Sequence, residues 1–352
     1  MRHLTSSYRN LSLQSLAMLW LIVALPPVAA EEITVLAVGD ITIGTRLTHL
    51  IETEGARVFF QGTAKLIQSA DIATASLNTS ISERGEPRHG IEHPFRAAPG
   101  LGRALANAGF DAITLATPHS MDFGVEALHD SLAELKAFNV TPIGAGLTAA
   151  AARQPAWVTV KGTEKQVALL GYYRQSDFAQ YTEDPVAYAV YSDMVNAVKQ
   201  ARHKAALVIV WLHWGTAASD EAQRETARGR QQLFAQILID AGADMVLCQQ
   251  LHTLGGMEIY RGKPIVYSLA DFLYDAYAKQ HARIVIPKAT FVNSTLVSIE
   301  LIPIATETPD TPYQPQLLHG AAAVETLQDY QQQCEKFNTE VTLEGERGWI
   351  RP

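Results

Sequence analysis

Short apolar runs alternate with helical segments along most of this chain, and that alternation narrows its fold more than any other feature. Residues 33–40, 71–78 and 111–116 are strand-like runs, and 141–146 is a fourth that closes in a Gly-rich turn. Between them, apolar residues recur at helical spacing over 58–70, 101–108 and 125–138, while 80–95 reads as a polar loop. In the second half, 157–161 and 166–172 read as a hairpin around Gly162, 206–212 and 244–248 as buried strands, and 256–260 with 263–269 as a further hairpin. Helices are expected over 194–204, 227–241 and 322–337, and one strand over 291–302. No tandem repeat or internal linker interrupts the pattern. A βα alternation broken by hairpins predicts a mixed, two-sheet α/β domain. At 352 residues with 47% hydrophobic side chains, the chain is long enough and apolar enough to build a well-buried core.

The first 30 residues stand apart. Arg2, His3 and Arg9 make a basic start, 16–25 is apolar, and Val28-Ala29-Ala30 precedes Glu31-Glu32. This is the layout of a cleavable signal peptide cut after Ala30, with an uncleaved N-terminal anchor as the alternative. An exported protein is therefore expected, in the periplasm or at the cell surface, with membrane contact only if that segment stays attached. The chain carries 28 Lys and Arg against 36 Asp and Glu, a formal charge of −8, which argues against nucleic acid as a partner. Two cysteines, Cys248 and Cys334, could pair in an oxidising compartment or remain buried thiols.

The residues with metal or acid–base chemistry fall just past the predicted strands. Asp40 ends the first run, Asn78 the second, His119 and Asp122 follow the third, His213 follows 206–212, and His252 follows 244–248. Open α/β sheets bind ligands at the carboxyl ends of their strands. One such histidine is ordinarily a hydrogen-bonded loop residue, but carboxylate, amide and imidazole groups gathered at one sheet end are the donors of a metal site. Asp122 also suits the N-cap of the helix expected from about Val125.

These same segments carry a resemblance. Residues 36–44 (Leu-Ala-Val-Gly-Asp-Ile-Thr-Ile-Gly), 108–124 with Thr117-Pro118-His119, 210–215 with His213-Trp214-Gly215, 241–252 ending in His252, and 265–272 with Ala270-Asp271-Phe272 resemble, in order, the motifs of the CapA family of capsule and poly-γ-glutamate proteins. The resemblance spans about residues 33–301. It implies a metallophosphatase-like two-sheet sandwich flanked by helices, over 31–305, with 306–352 as a C-terminal extension carrying one helix. It also implies work on a cell-envelope polymer, or beside the polymer's synthase complex.

The chain departs from the family pattern at the site. The family's Asn-Leu-Glu is Asn78-Thr79-Ser80 here, its Asn-Asn-His is Thr117-Pro118-His119, its Gly-His-His-Pro-His ends as Cys248-Gln249-Gln250-Leu251-His252, and its Gly-Asn-Phe is Ala270-Asp271-Phe272. Two metals about 3.5–4 Å apart need a bridging carboxylate and a full ligand set, so a dinuclear centre is not expected. Asp40, Asn78, His213 and His252 are the metal candidates, with Asp40, His213 and His252 sufficient for one divalent ion. His119 is the expected general acid, oriented by Asp122. Two functions follow: an exported metal-dependent hydrolase with one ion, or a pseudoenzyme with none that guides an envelope polymer.

Overall fold

The computed structural model describes residues 32–174, 185–214, 221–249, 252–275, 283–307 and 313–352. The segment expected as a signal peptide, 1–30, lies outside them, as do Gly215, Gln250 and Leu251. Residues 31–352 form one compact unit.

The first stretch runs β1 (Glu32–Thr42), α1 (Thr45–Glu54), a 3-10 turn (Ala56–Phe60), α2 (Ala64–Gln68), β2 (Ile72–Leu77), β3 (Ser80–Ile81), β4 (Arg96–Ala97), α3 (Leu101–Ala108), β5 (Ala112–Thr114), α4 (Gly124–Ala137) and β6 (Thr141–Ile143). The second runs α5 (Ala149–Ala152), β7 (Ala156–Thr159), β8 (Gln166–Arg174), α6 (Tyr191–Arg202), β9 (Leu207–Trp214), α7 (Glu221–Ala241), β10 (Met245–Gln249), β11 (Met257–Tyr260) and β12 (Lys263–Val266). The third runs β13 (Asp271–Tyr274), β14 (Arg283–Val292), β15 (Thr295–Ala305), β16 (Gln316–Leu317), α8 (Gly320–Glu335), β17 (Thr342–Glu344) and β18 (Arg347–Ile350).

The first sheet has the order β17-β18-β15-β14-β1-β2-β5-β6, with β13 beside β1 and β16 beside β15, and the second has the order β11-β12-β10-β9-β8-β7. The site-bearing strands β1, β2, β5 and β13 are parallel, as are β8, β9 and β10, while β7, β11 and β14 run against their neighbours. The side-chain period of two explains the layering. Ile33, Val35 and Ala37 of β1 face an inter-sheet core with Leu207, Ile209, Trp211, Met245 and Leu247, whereas Leu36, Val38 and Ile41 face the helices α1 to α4. Val208, Val210 and Leu212 of β9 turn outward to α6 and α7. Strands buried on both faces read as the continuous apolar runs seen in the sequence. The result is the two-sheet sandwich flanked by helices that the resemblance implied.

Three elements differ from expectation. The helix expected over 58–70 is broken at Gly62, where an added Cβ would stand 2.5 Å from the Pro315 carbonyl oxygen. A helix not foreseen, α1, fills 45–54. The strand expected over 291–302 is two strands, β14 and β15, joined at Asn293 and Ser294, whose φ values of 49° and 63° make a tight reversal. Past residue 306, β16, β17 and β18 extend the first sheet, and α8 places Leu327, Tyr330 and Cys334 in the inter-sheet core. Both cysteines are free and buried; burial pushes the Cys334 thiol up to about 11 and raises that of Cys248 as well.

Candidate functional site at the strand ends

Because both faces of the central strands are covered, polar chemistry can meet a ligand only where the strands end. Asp40 lies near the end of β1, in register with Ser76 on one side and Asp271 of β13 on the other. It is buried, and neither of its carboxylate oxygens has a hydrogen-bond partner. Burial and then the charge of Asp271 push its pKa up to about 7; the neighbouring Ser76 hydroxyl, Gln249 amide and His252 act in the opposite direction without removing that effect.

His213, inside β9 rather than after it, is buried, its Nδ1 without a partner. Burial, followed by the charges of His119 and His252, lowers its pKa to about 3, so it is a neutral imidazole. The Tyr173 ring packs on it edge to face at 5.9 Å. Asn78 follows β2, its N–H donating to Ile41 O at 2.9 Å and its buried Oδ1 unpartnered.

His119 and His252 are each held by a carboxylate. His119 Nδ1 lies 2.8 Å from Asp122 Oδ2, which also accepts from Phe95 N at 2.8 Å. Asp122 is therefore an orienting group and not the cap of α4, whose N-cap is Phe123 without any side-chain bond. His252 Nδ1 lies 3.0 and 3.1 Å from the two oxygens of Asp271, and that hydrogen bond, more than it is opposed by burial, raises its pKa. Rings connect the two histidines: Phe95 meets His119 at 4.8 Å, Phe95 meets Tyr274 at 6.1 Å, and Tyr274 meets His252 at 5.2 Å.

The six residues expected from the sequence thus lie at one end of the strands: His213 feels the charges of His119 and His252, Asp40 that of His252, and Asn78 is tied to Ile41 beside Asp40. Two that shape this end were not expected as site residues. Asp271, noticed only as a departure from the family's Asn, holds His252. Gln249, noticed only as a lost imidazole, donates to Ala270 O at 2.6 Å and accepts from Leu269 N at 3.2 Å.

The donors fit one divalent cation in their chemistry. The Asp40 oxygens, Asn78 Oδ1 and His213 Nδ1 are buried polar atoms with no partner in the protein, a condition that disfavours the fold by about 1–3 kcal/mol each unless water or a ligand satisfies them. Among the described residues, no three His, Cys, Asp or Glu side chains are drawn together closely enough to clasp an ion.

A two-sheet α/β sandwich with imidazoles and carboxylates converging at its strand ends is the class that fold and site define. Within that class, residues 34–276 match the family described as bacterial capsule synthesis protein PGA_cap, and the chain belongs to that family. It is 27% identical over 243 residues to the PGA biosynthesis protein CapA of Bacillus subtilis (strain 168), covering 68% of this chain and 62% of that one. It is 24% identical over 255 residues to the capsule biosynthesis protein CapA of Bacillus anthracis, covering 70% and 60%. The chain thus spans about six tenths of the length of these relatives. Among solved structures, TT1561 of Thermus thermophilus is 11% identical with a TM-score of 0.40, over 75% of this chain and 100% of that one.

Proposed function

We propose that this protein is an exported accessory of capsule or poly-γ-glutamate synthesis, acting on or beside an envelope polymer and its synthase through a metal-poor pocket. One observation carries the reading: a residue that would complete a two-metal cage is replaced by one with no donor to spare. Gln249 stands where the family has an imidazole, and both of its polar atoms are tied to backbone. The family membership and the names of the CapA relatives support the setting. Export rests on the signal-like segment 1–30, and the chain recovered from cells should begin at Glu31. Disruption of the gene in its host should reduce surface polymer, and the intact gene should restore it; a strain whose polymer is unchanged would refute the role.

The unpartnered atoms of Asp40, Asn78 and His213 favour a second reading, a hydrolase with one ion acting on a phosphate ester or a γ-glutamyl amide. Asp40, Asn78, His213 and His252 would hold that ion, which supplies Lewis-acid polarisation of the scissile group when bound. His119 would then deliver a proton from Nε2, with Asp122 holding Nδ1 and the Phe95 edge fixing the ring. Metal analysis and turnover on both substrate classes separate the readings. Bound metal that His213→Ala and His252→Ala each remove, together with turnover lost in His119→Gln, supports the hydrolase. A protein that takes up no metal at micromolar supply and turns over neither substrate rules it out.

A further inference from the structure

Gln249 ends β10 in the second sheet, in register with His213, and is buried. Its amide reaches across to the turn that enters β13 in the first sheet. Nε2 donates to Ala270 O, and Leu269 N donates to Oε1. Ala270 O also accepts from Asp40 N at 3.1 Å. One carbonyl therefore receives a donor from each sheet.

The turn itself is unfavourable. Ala270 has φ +57°, a left-handed conformation that opposes an L-residue by roughly 1–2 kcal/mol. Such a conformation persists only where the surroundings over-determine it. Gly39 leaves room for it, since a Cβ there would stand 1.9 Å from Ala270 O. The next residue is Asp271, which receives His252 Nδ1.

We infer that Gln249 is a positioning residue: by clasping the 269–270 turn across the two sheets, it fixes Asp271 against His252 and so decides which imidazole nitrogen faces the pocket. An ionised carboxylate only accepts, so the Nδ1 proton of a neutral His252 points to Asp271 and the Nε2 lone pair is presented outward. Without the clasp, the turn relaxes toward ordinary backbone, Asp271 withdraws, and His252 is no longer held as the Nδ1–H tautomer. The inference rests on this pocket being the functional site. Its test uses no metal and no substrate, so its failure is distinguishable from failure of the proposed function.

The experiment is long-range proton–nitrogen NMR of the imidazoles in the full chain with chelator, at alkaline pH where the rings are neutral. In the wild type, His119 and His252 should both be Nδ1–H tautomers. Gln249→Met keeps the volume and removes both bonds. It should cost His252 the Nδ1–H signature and leave His119, held by Asp122, unchanged. Asp271→Ala should give the same loss. Gln249→Glu keeps the acceptor for Leu269 N and lacks the donor for Ala270 O, so it should also lose the signature; it decides the matter if the Met variant does not fold. A folded variant in which His252 remains Nδ1–H overturns the inference and leaves Gln249 a packing residue.

Discussion

Asp40→Asn in metal-free protein should change the pH dependence of stability rather than stability alone. The carboxyl of Asp40 is displaced from its ordinary 3.8 to about 7, chiefly by burial. At about 1.4 kcal/mol for each factor of ten in proton affinity, the ionised form is opposed by as much as about 4 kcal/mol in the folded state. Between those pH values the folded chain keeps a proton that the unfolded chain releases, so the Asp40 contribution falls as pH rises and levels off above about 7. His213 has the opposite sign. Its folded pKa is lowered from 6.5 to about 3, so its contribution is complete above 6.5 and is lost as pH falls toward 3. From 3.8 to 6.5 the two slopes oppose each other, and the wild type should be nearly flat where these groups dominate. Asparagine removes one slope and exposes the other: the variant should gain about 1.4 kcal/mol per pH unit across that window. Urea denaturation of both proteins over a pH series, with chelator, measures this directly. A difference between the two that stays constant with pH would show that Asp40 does not hold a proton in the folded state.

Three further substitutions test how the site is supported. Asp275→Ala removes the acceptor of Arg46 N and Leu47 N, at 3.0 and 3.1 Å, and the partner of Arg46 Nε; since Gly44 supplies no side-chain cap to α1, about 2–3 kcal/mol should be lost in urea denaturation, and a loss below about 0.5 would remove Asp275 as the cap. Ala270→Gly relieves the left-handed residue and should raise the urea midpoint by the equivalent of about 1 kcal/mol; a lowered midpoint would contradict strain at that turn. Trp211→Phe leaves Thr74 Oγ1 without the indole N–H that reaches it at 3.0 Å across the inter-sheet core, and thermal denaturation should register about 2–3 kcal/mol of lost stability; an unchanged midpoint would make that bond dispensable.

Where the fold was legible, the deciding forces were local. The runs at 33–40, 206–212 and 244–248 could be read as strands because both of their faces are buried, and the helix at 125–138 because Leu128, Leu132 and Leu135 face one way. Where reading failed, the deciding contact was distant. The cap of α1 is Asp275, far along the chain, so nothing near Gly44 announces a helix. Gly62 breaks its helix against Pro315, equally remote. The reversal at Asn293-Ser294 is different: Asn tolerates positive φ, a local signal that the apolar residues on either side of it mask. The site divides the same way. Asp40, Asn78, His119, Asp122, His213 and His252 are visible as chemistry at strand ends. Gln249 and Asp271 act through a turn between two sheets, and only the packed structure brings them together.

The distribution of unpartnered polar atoms says what kind of place the pocket is. In the described residues, Asp40, Thr42, Ser76, Asn78, Ser80, Asp122 and His213 each carry such an atom, and all belong to strands or turns at this one end of the sandwich. Thr63, His129, Arg153 and Tyr172 carry the others. At about 1–3 kcal/mol each, such groups weigh against the fold unless water or a ligand satisfies them. A pocket that had merely lost its function would be free to exchange them for apolar residues, because the same strands accept Ala, Val, Ile and Leu at most of their other buried positions. The substitutions at Ser80, Gln249 and Asp271 leave the polarity in place while changing its charge and its partners. The polymer-accessory reading and the single-ion hydrolase reading therefore share one expectation: the polar atoms at this end of the sandwich are satisfied by water or by a polar ligand. What separates them is whether an ion is bound, which metal analysis of the His213 and His252 variants decides; the pH dependence of the asparagine variant reports whether Asp40 is a neutral acid before any ligand arrives.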